Sequence, residues 1–574
     1  LGLRAFGREA IAGVLVLALL AAVFDVDPRR SSSGVFRTGM AKLTPKDSII
    51  FHRDGKTATV DVLENQGSLS IRTNGKPDAS ISVGAGRPPT GDEFTMALLG
   101  VLPLGHRPDA KTAAVVGFGS GMTSAILLAS PRIERVDSIE IEPAMVEGAQ
   151  LFRPAVEAAF ADPRSHIVID DAKSYFARGG GRYDIIVSEP SNPWVSGVAS
   201  LFTEEFYARL ALHLNEGGVL SQWLHMYEMD ATTLASIIQA VSRTFPQFMI
   251  YSSIDSDIVL IARKGGEPGR FDPAVLRFEA LRPVLDKLKL VDPAIVERRA
   301  VAGSDLVGPF FRLYGAPANS DFFPFVDKRA TKTRFTGSRV DELTQLQASA
   351  VPMLEMLGAG PMPSRERHDA LLRTVFVEAA VDGAWMMHDV VTASGPPRAP
   401  TGELSVPELA AGAVRSWVTS CRDGSEFDRV LPSLVAAAVT ANPYLHPDAA
   451  MQIWRTVGES RCAKALAPPE RRWIDLFEAV AQRDAARMAE QGGAILETIR
   501  GSKSSSSEYA FFATVTALAC QGQAARAREL LGQARRNWVR DGVRSAELQF
   551  LGAVIASPPA PGKRAATCAA AVHS

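Results

Sequence analysis

The sequence has no excess of charge of either sign. Its 574 residues include 62 Lys and Arg against 63 Asp and Glu, a formal net charge of −1. Nucleic-acid-binding domains need a basic surface, so this balance argues against nucleic acid as a partner. Hydrophobic residues make up 46% and charged residues 22%, which is typical of folded globular protein and excludes large-scale disorder. At roughly 100–200 residues per domain, the length predicts several domains.

Cysteine is scarce. The chain has only four cysteines, all in its last third and without a CxxC pair, namely Cys421, Cys462, Cys520 and Cys568. Zinc sites and disulfide frameworks show closer and more regular spacings. We therefore expect no metal site and no disulfides, with the cysteines buried as small apolar residues in a reducing compartment.

Long hydrophobic runs are also absent, apart from a short one at the N-terminus. Residues 10–24 form an uncharged apolar run of about fifteen residues, whereas a membrane-spanning helix needs about 20. The chain begins with Leu rather than Met, so we expect this run to be the end of a truncated membrane helix, with residues 1–33 forming helix and linker. A signal-peptide core and an amphipathic surface helix are the alternatives.

Hydropathy patterns divide the rest of the chain. Residues 34–110 contain short β-type runs and the tight-turn pair Asn74-Gly75, which predict an N-terminal antiparallel β-unit. In residues 111–265 apolar strands alternate with helices, the pattern of a mostly parallel sheet covered on both faces. Two closing strands joined by a short Asp/Ser turn imply one antiparallel strand. This ending predicts a Rossmann-like, seven-stranded sheet of the class I methyltransferase type.

The last two segments differ in composition. Residues 266–350 read as an appendage, and residues 351–574 are Ala-rich and helical. The triplet at 485–487, Ala-Ala-Arg, recurs at 524–526. Two copies are consistent either with a generic α-helical domain or with tetratricopeptide-like repeats, for which three copies are normally needed.

A glycine loop follows the first strand of the predicted sheet. Residues 117–121 read GFGSG and lead directly into a predicted helix. Glycines let the backbone turn tightly and approach a ligand, while free N–H groups at the helix start face its polar part. Met122 stands where the NAD fingerprint GxGxxG requires glycine, so the loop favours another nucleotide. The candidate cofactor-binding residues here are Gly117, Gly119, Ser120 and Gly121.

Acidic residues follow the next two strands. Glu140 ends the second strand, where a carboxylate can accept hydrogen bonds from both ribose hydroxyls; capping the next helix is the structural alternative. Asp170 and Asp171 follow the third strand. One of them could accept a hydrogen bond from an adenine amine, and an N-cap is again the alternative.

The fourth strand opens into a loop at residues 189–194, EPSNPW. Ligands of open α/β sheets bind at the carboxyl ends of the strands, so this loop is expected to face the reacting centre. Glu189 could act as a general base toward an amine, with Asn192 orienting it and Trp194 forming an apolar wall. The two prolines and the tryptophan could instead only stiffen the loop. Further pocket candidates follow the fifth strand, namely Gln222, His225 and Tyr227, although packing is the alternative for the histidine.

Taken in order, these motifs resemble the polyamine aminopropyltransferase (spermidine synthase) family, and most closely its membrane-fused bacterial members. The resemblance covers about residues 45–265 and includes Asp92-Glu93-Phe94. It implies that Gly117, Gly119, Glu140 and Asp171 bind decarboxylated S-adenosylmethionine or S-adenosylmethionine as a substrate. It also places Glu189 at the catalytic aspartate of the family. A bacterial inner-membrane anchor with a cytoplasmic catalytic domain would follow.

The chain departs from the family at residues that recognise the amine. Family members have Asp at the positions of Ser120 and Asn192, and a Tyr-His-Glu triplet where this chain has Met96-Ala97-Leu98. Loss of these acids removes negative charge that a diamine would need. The leading hypothesis is an aminopropyl transferase acting on a small-molecule amine or other acceptor. The alternatives are an S-adenosylmethionine-dependent methyltransferase and a non-catalytic, membrane-tethered binding protein, and either a protein partner or a homo-oligomer is expected.

Overall fold

A computed structural model describes residues 10–18, 27–84, 86–358, 375–393, 405–420 and 426–557. The first sheet is antiparallel, with the order β1-β2-β3-β4. Its strands are β1 (Ser48–Asp54), β2 (Thr59–Asn65), β3 (Ser68–Thr73) and β4 (Lys76–Ser82). Asn74 and Gly75 join β3 to β4 with φ of 51° and 79°, the left-handed geometry that a tight hairpin turn requires.

The second sheet has the order β12-β10-β11-β9-β8-β5-β6-β7. Its strands are β5 (Thr112–Val116), β6 (Arg135–Glu140), β7 (Ser165–Ile169), β8 (Tyr183–Ser188), β9 (Leu214–His225), β10 (Phe248–Ile254), β11 (Asp257–Arg263) and β12 (Ala300–Gly303). Strands β5 to β9 are parallel, and β11 is antiparallel to both of its neighbours. The predicted methyltransferase-type sheet is confirmed, and β12 from the appendage adds an eighth strand at the edge beside β10.

Helices cover both faces of this sheet. In the first half of the chain they are α1 (residues 10–18), α2 (Pro28–Ser31), α3 (Val35–Thr38), α4 (Gly91–His106), α5 (Met122–Leu128), α6 (Pro143–Ala149), α7 (Glu157–Ala161), α8 (Ala172–Ala177), α9 (Glu204–His213) and α10 (Ala231–Thr244). The appendage contributes α11 (Arg282–Leu288), α12 (Pro293–Glu297), α13 (Ser304–Arg312), α14 (Phe325–Phe335), α15 (Glu342–Gln347) and α16 (Met353–Met356).

The remaining helices form the C-terminal region. They are α17 (Phe376–Thr392), α18 (Val406–Ser420), α19 (Phe427–Ala441), α20 (Pro447–Glu459), α21 (Arg461–Lys464), α22 (Pro468–Gln482), α23 (Ala485–Thr498), α24 (Ser505–Cys520), α25 (Ala524–Asn537) and α26 (Ser545–Ala556). The two Ala-Ala-Arg triplets begin α23 and α25, each the second helix of a hairpin. Two hairpins do not establish a tetratricopeptide array, which needs at least three repeats.

Helix α4 connects the two sheets, and its side chains are buried from Glu93 to His106. A capping box starts it: the Thr90 side chain accepts from the Glu93 N–H, and the Glu93 carboxylate accepts from the Thr90 N–H. Because the helix is buried on all sides, it holds its N-terminal residues rigidly against the carboxyl edge of the second sheet.

Two apolar cores lie on opposite faces of the second sheet. One includes the N-terminal sheet, α4 and α5. The other continues from β8 and α10 through α13 into the C-terminal helices, where Phe310 packs edge-to-face against Phe550 at 6.1 Å. The appendage and the C-terminal helices therefore share a core with the α/β region.

Two sequence predictions are wrong. Among the residues described above, no helix is long and apolar enough to cross a membrane, which contradicts the inner-membrane anchor. Helix α1 covers residues 10–18, and the part of the apolar run at 19–24 lies outside the described residues. The absence of disulfides is also contradicted, because Cys462 and Cys520 are both disulfide-bonded. Wide spacing in sequence does not limit which cysteines the fold brings together.

Candidate active site

The glycine loop lies at the carboxyl ends of three neighbouring parallel strands. Val116 of β5 is aligned with Ile139 of β6 and with Ser188 of β8, so the residues that follow these strands meet at one edge. Gly117 has φ of 90°, and a Cβ atom there would lie 2.5 Å from the Glu189 carbonyl oxygen. Only glycine permits this close packing of the loop on the next strand's exit.

Ser120 and Met96 are in contact, and both stand at positions where the sequence departs from the family. Ser120 is fully buried, and its hydroxyl lies 3.2 Å from Met96 Sδ. Gly119 lines the adjoining cavity, and Gly121 starts helix α5 with φ of 85°. The neutral side chains of Ser120 and Met96 are therefore compatible, because an acid at position 120 would be buried against the sulfur atom of Met96.

Glu140 supports the loop from β6. Its two carboxylate oxygens accept hydrogen bonds from the N–H groups of Phe118 and Glu142, each at 2.9 Å. Burial raises the pKa of this carboxyl group, and the two backbone bonds oppose that shift. Each oxygen keeps a second lone pair for a ligand hydroxyl.

Asp171 follows β7 and lines the same cavity. Its Oδ2 caps helix α8 by accepting from the Ser174 N–H at 2.8 Å, which leaves the other oxygen free for a ligand donor. Asp171 therefore caps helix α8, which was the structural alternative considered from the sequence, and it also lines the cavity. The residues at this edge fit an adenosyl group: a glycine-rich loop and two carboxylates, of which Glu140 accepts two backbone N–H bonds and Asp171 one, so that both retain acceptor capacity.

Glu189 is buried at the exit of β8. Its Oε2 accepts from the Thr123 hydroxyl at 2.6 Å. Burial, together with the charges of Asp92 and Asp257, raises the pKa of Glu189 to about 7, and the Thr123 hydrogen bond opposes this shift. A carboxyl group with a pKa near neutrality can both take up and release a proton at physiological pH.

Besides Glu140, Asp171 and Glu189, the cavity is lined by the carboxylates of Asp78, Asp92 and Asp257 and by the ammonium group of Lys76. The Lys76 ammonium is already paired, since it donates to Asp78 and to the Ser191 hydroxyl at 2.7 Å each. Asp92 accepts from the Ser80 hydroxyl at 2.6 Å, and burial raises its pKa. This part of the cavity therefore contains several acidic side chains, although the residues at positions 120 and 192 are neutral.

Asn192 and Trp194, which were predicted to orient the amine and to wall the pocket, are not among the residues that line the two cavities. Asn192 is fully buried and donates to the Tyr227 hydroxyl at 3.4 Å. The Trp194 ring is covered by the Arg334 guanidinium at 4.3 Å and contacts the edge of Phe36 at 6.2 Å. Contacts from the appendage and from the N-terminal segment therefore hold this loop on both sides. This agrees with the alternative that the prolines and the tryptophan stiffen the loop.

The three candidates after β9 have different positions. Gln222 is buried and internally bonded: its amide donates to the Ser188 and Trp223 carbonyls, and its oxygen accepts from the Tyr207 hydroxyl. His225 stacks between Trp223 and Tyr227, and burial lowers its pKa to about 3, so it is neutral. Tyr227 lines a second cavity. Only Tyr227 of the three faces a ligand space; the other two pack.

Two cavities meet at this edge of the sheet. The first has a volume of about 430 Å³ and is bounded by the glycine loop, Glu140, Asp171 and Glu189. The second has a volume of about 790 Å³ and lies between Arg37, Arg72 and Tyr227. They share a wall made of Lys76, Asp78, Asp92, Trp223 and Asp257.

Sequence reasoning missed Asp257 and Trp223. Asp257 was read as part of a turn, yet it pairs with His225 in the β11–β9 ladder and so points to the same edge as the end of β9. The sequence did contain a signal for this position. When two neighbouring strands pair antiparallel, the first residue of one lies opposite the last residue of the other, so the start of β11 meets the end of β9.

Residues 94–254 match the spermine/spermidine synthase domain family, which is well under half of the chain. Putrescine N-methyltransferase 3 from Nicotiana tabacum is 36% identical over 132 residues, 22% of this chain and 34% of that protein. A polyamine aminopropyltransferase from Lachnospira eligens is 29% identical over 154 residues, 26% of this chain and 54% of that protein. The chain thus spans about a third to a half of the length of these relatives.

A spermidine synthase crystal structure from Thermotoga maritima is 21% identical, covers 42% of this chain and 88% of its own, and has a TM-score of 0.34. The family match at residues 94–254 shows a spermine/spermidine synthase domain there, which confirms the resemblance to that family inferred from the sequence.

Proposed function

We propose that this protein transfers an aminopropyl group from decarboxylated S-adenosylmethionine to an amine. The observation that carries the proposal is Glu189, a buried carboxyl group with a pKa of about 7 that lines the same cavity as the glycine loop, Asp92 and Asp257. Similarity to aminopropyltransferases supports the same reaction type.

In this reaction the amine nitrogen attacks the propyl carbon bonded to the sulfonium. The new C–N bond forms as the C–S bond breaks, its electron pair returns to sulfur, and methylthioadenosine leaves as a neutral thioether. Glu189 takes the proton released by the substituted amine. Alignment of the two substrates provides most of the acceleration, because no covalent enzyme intermediate is needed.

The acids of the cavity favour the decarboxylated donor. Asp92 and Asp257 adjoin Glu189, and the Lys76 ammonium is already neutralised by Asp78. The carboxylate of S-adenosylmethionine would be repelled by these groups, whereas decarboxylation leaves only a cationic aminopropyl chain.

The test is methylthioadenosine formation by purified protein supplied with decarboxylated S-adenosylmethionine and 1,4-diaminobutane. We expect turnover by the wild type and a loss of at least a hundredfold in kcat for Glu189→Ala. Asp109→Asn is the control, because its side chain is 60% exposed and lies outside the cavities, so turnover should be unchanged. Equal product from the wild type and Glu189→Ala would contradict the proposal.

Methyl transfer to an amine is the second candidate, favoured by the similarity to putrescine N-methyltransferases and by Lys76, a buried ammonium on the cavity wall. If Lys76 exchanged Asp78 for the donor carboxylate, S-adenosylmethionine would bind. Calorimetry with both donors separates the two candidates: aminopropyl transfer predicts at least tenfold tighter binding of the decarboxylated form.

A further inference from the structure

The acids that the family uses for amine recognition are replaced in this chain by Ser120 and Asn192, yet the site has not lost its negative charge. Asp257, at the start of β11, lies on the wall shared by the two cavities. Asp257 lies outside the motifs that carry the family resemblance. Its charge is therefore an independent feature of this protein.

Asp257 is only 5% exposed, and its two carboxylate oxygens are not equally satisfied. Oδ2 accepts from the Thr95 hydroxyl at 3.1 Å. Oδ1 is buried and has no hydrogen bond of normal geometry among the described residues, and only the Trp223 side chain acts as a further donor toward this carboxylate there. A buried carboxylate with an unsatisfied oxygen is costly unless a cation or donor completes it.

Among the described residues, the cations around Asp257 have other partners: Arg37 pairs with Glu228 and Arg339 with Asp341 in the second cavity. Lys76, the ammonium on the shared wall, donates to Asp78 and Ser191. Asp92 lies close enough for its charge to raise the pKa of Asp257, which means that two acids face the same space. A bound ammonium group would relieve both the repulsion and the unsatisfied oxygen.

We propose that Asp257, together with Asp92, binds the non-reacting ammonium of a diamine acceptor at the junction of the two cavities. This inference rests on the proposed function, since Glu189 receives the reacting nitrogen. Asp257 is then a specificity-determining residue that takes over the recognition lost at positions 120 and 192. The second cavity, which Tyr227 also lines, adjoins this junction.

Binding to protein saturated with methylthioadenosine tests the proposal without requiring turnover. Titration with 1,4-diaminobutane and 1-aminobutane compares acceptors with and without the second ammonium. We expect the wild type to bind the diamine at least tenfold more tightly, and Asp257→Asn to bind both amines equally. Asp92→Asn is a second variant that should reduce the preference, and exposed Asp109→Asn is the control that should keep it.

Methylthioadenosine affinity reports whether each variant is folded, and it should change less than twofold. A diamine preference that survives in folded Asp257→Asn, or a wild type without the preference, would overturn the assignment. Failure of the proposed function has a different signature: diamine preference in binding, but no methylthioadenosine formed from the decarboxylated donor.

Proton release gives an additional readout. Burial and the charge of Asp92 raise the pKa of Asp257 to about 7. The hydrogen bonds of Thr95 and Trp223 and the charge of Lys76 oppose this shift because they favour the ionised carboxylate. The facing His225 is neutral. An ammonium bound beside Asp257 should therefore displace a proton near pH 6.5. Calorimetry in buffers of different ionisation enthalpy should detect this proton in the wild type and a smaller release in Asp257→Asn.

Discussion

At the scale of single residues, the site is defined by how deeply its carboxyl groups are buried. Within the part of the chain that the structure describes, Glu189 accepts a hydrogen bond only from the Thr123 hydroxyl, whereas Glu140 accepts two from backbone N–H groups. The identity of these residues as acids could be read from the sequence. Their different environments could not, because burial and partners are set by the packing around them.

Glu189→Gln should stabilise the protein at alkaline pH while abolishing activity. The pKa of Glu189 is about 7 in the folded state against 4.5 ordinarily, so the folded state holds its proton more tightly than the unfolded state. Wild-type stability consequently falls as pH rises from 4.5 to 7, by about 3 kcal/mol. Glutamine mimics the protonated form and removes this loss.

Urea unfolding of the wild type and Glu189→Gln at pH 5.0 and pH 8.5 measures the effect. The variant should gain stability over the wild type at pH 8.5 and show little difference at pH 5.0. A gain of equal size at both values would mean that Glu189 is not a titrating buried acid.

At the scale of secondary-structure elements, the alternation of strands and helices predicted for residues 111–265 is present in the structure. Strand β6 (Arg135–Glu140) and helix α5 (Met122–Leu128) belong to it. Apolar strands that end at glycine or proline residues can be recognised from the sequence, because this pattern depends only on residues that are neighbours in the chain. Strand β12 was not predicted, since four residues become a strand only through the edge that β10 offers.

Helix α17 is joined to the α/β region by a buried ion pair that no local pattern indicates. Arg299, just before β12, donates to Glu378 of α17 at 2.8 Å, and both side chains are at most 4% exposed. Glu378→Ala removes the carboxylate partner of a buried guanidinium and should cost about 3–5 kcal/mol. Replacing both residues, as Arg299→Met with Glu378→Leu, should recover most of that loss.

Chemical denaturation of the single and double variants measures this coupling. Glu134→Ala is the matched control, because its pair with Lys111 is about 65% exposed and should contribute under 1 kcal/mol. Equal losses in Glu378→Ala and Glu134→Ala would contradict a buried role for the pair.

At the scale of the whole molecule, the C-terminal helices share a core with the sheet that carries the site. Helix α26 reaches back to α13, where Phe550 is fully buried against Phe310. The two regions should therefore unfold together.

Phe550→Ala should lower the stability of the α/β region as well as that of the helices, by about 3–5 kcal/mol. Differential scanning calorimetry should show one transition shifted to lower temperature, and methylthioadenosine should raise the melting temperature of that whole transition. Phe335→Ala, at a 92% exposed position, is the control and should be nearly neutral. Two separate transitions, only one of them shifted, would show that the regions are independent.

The sequence by itself determined the α/β sheet type, the glycine loop and the acids that follow successive strands, because these depend on local periodicity and on residues adjacent in the chain. It could not determine that Ser120 lies against Met96, that Gln222 and His225 pack internally, or that Asp257 joins the site. Nor did it reveal the disulfide-bonded cysteines or the eighth strand. Each of these depends on contacts between residues far apart in the chain, and only the tertiary structure decides which distant side chains meet.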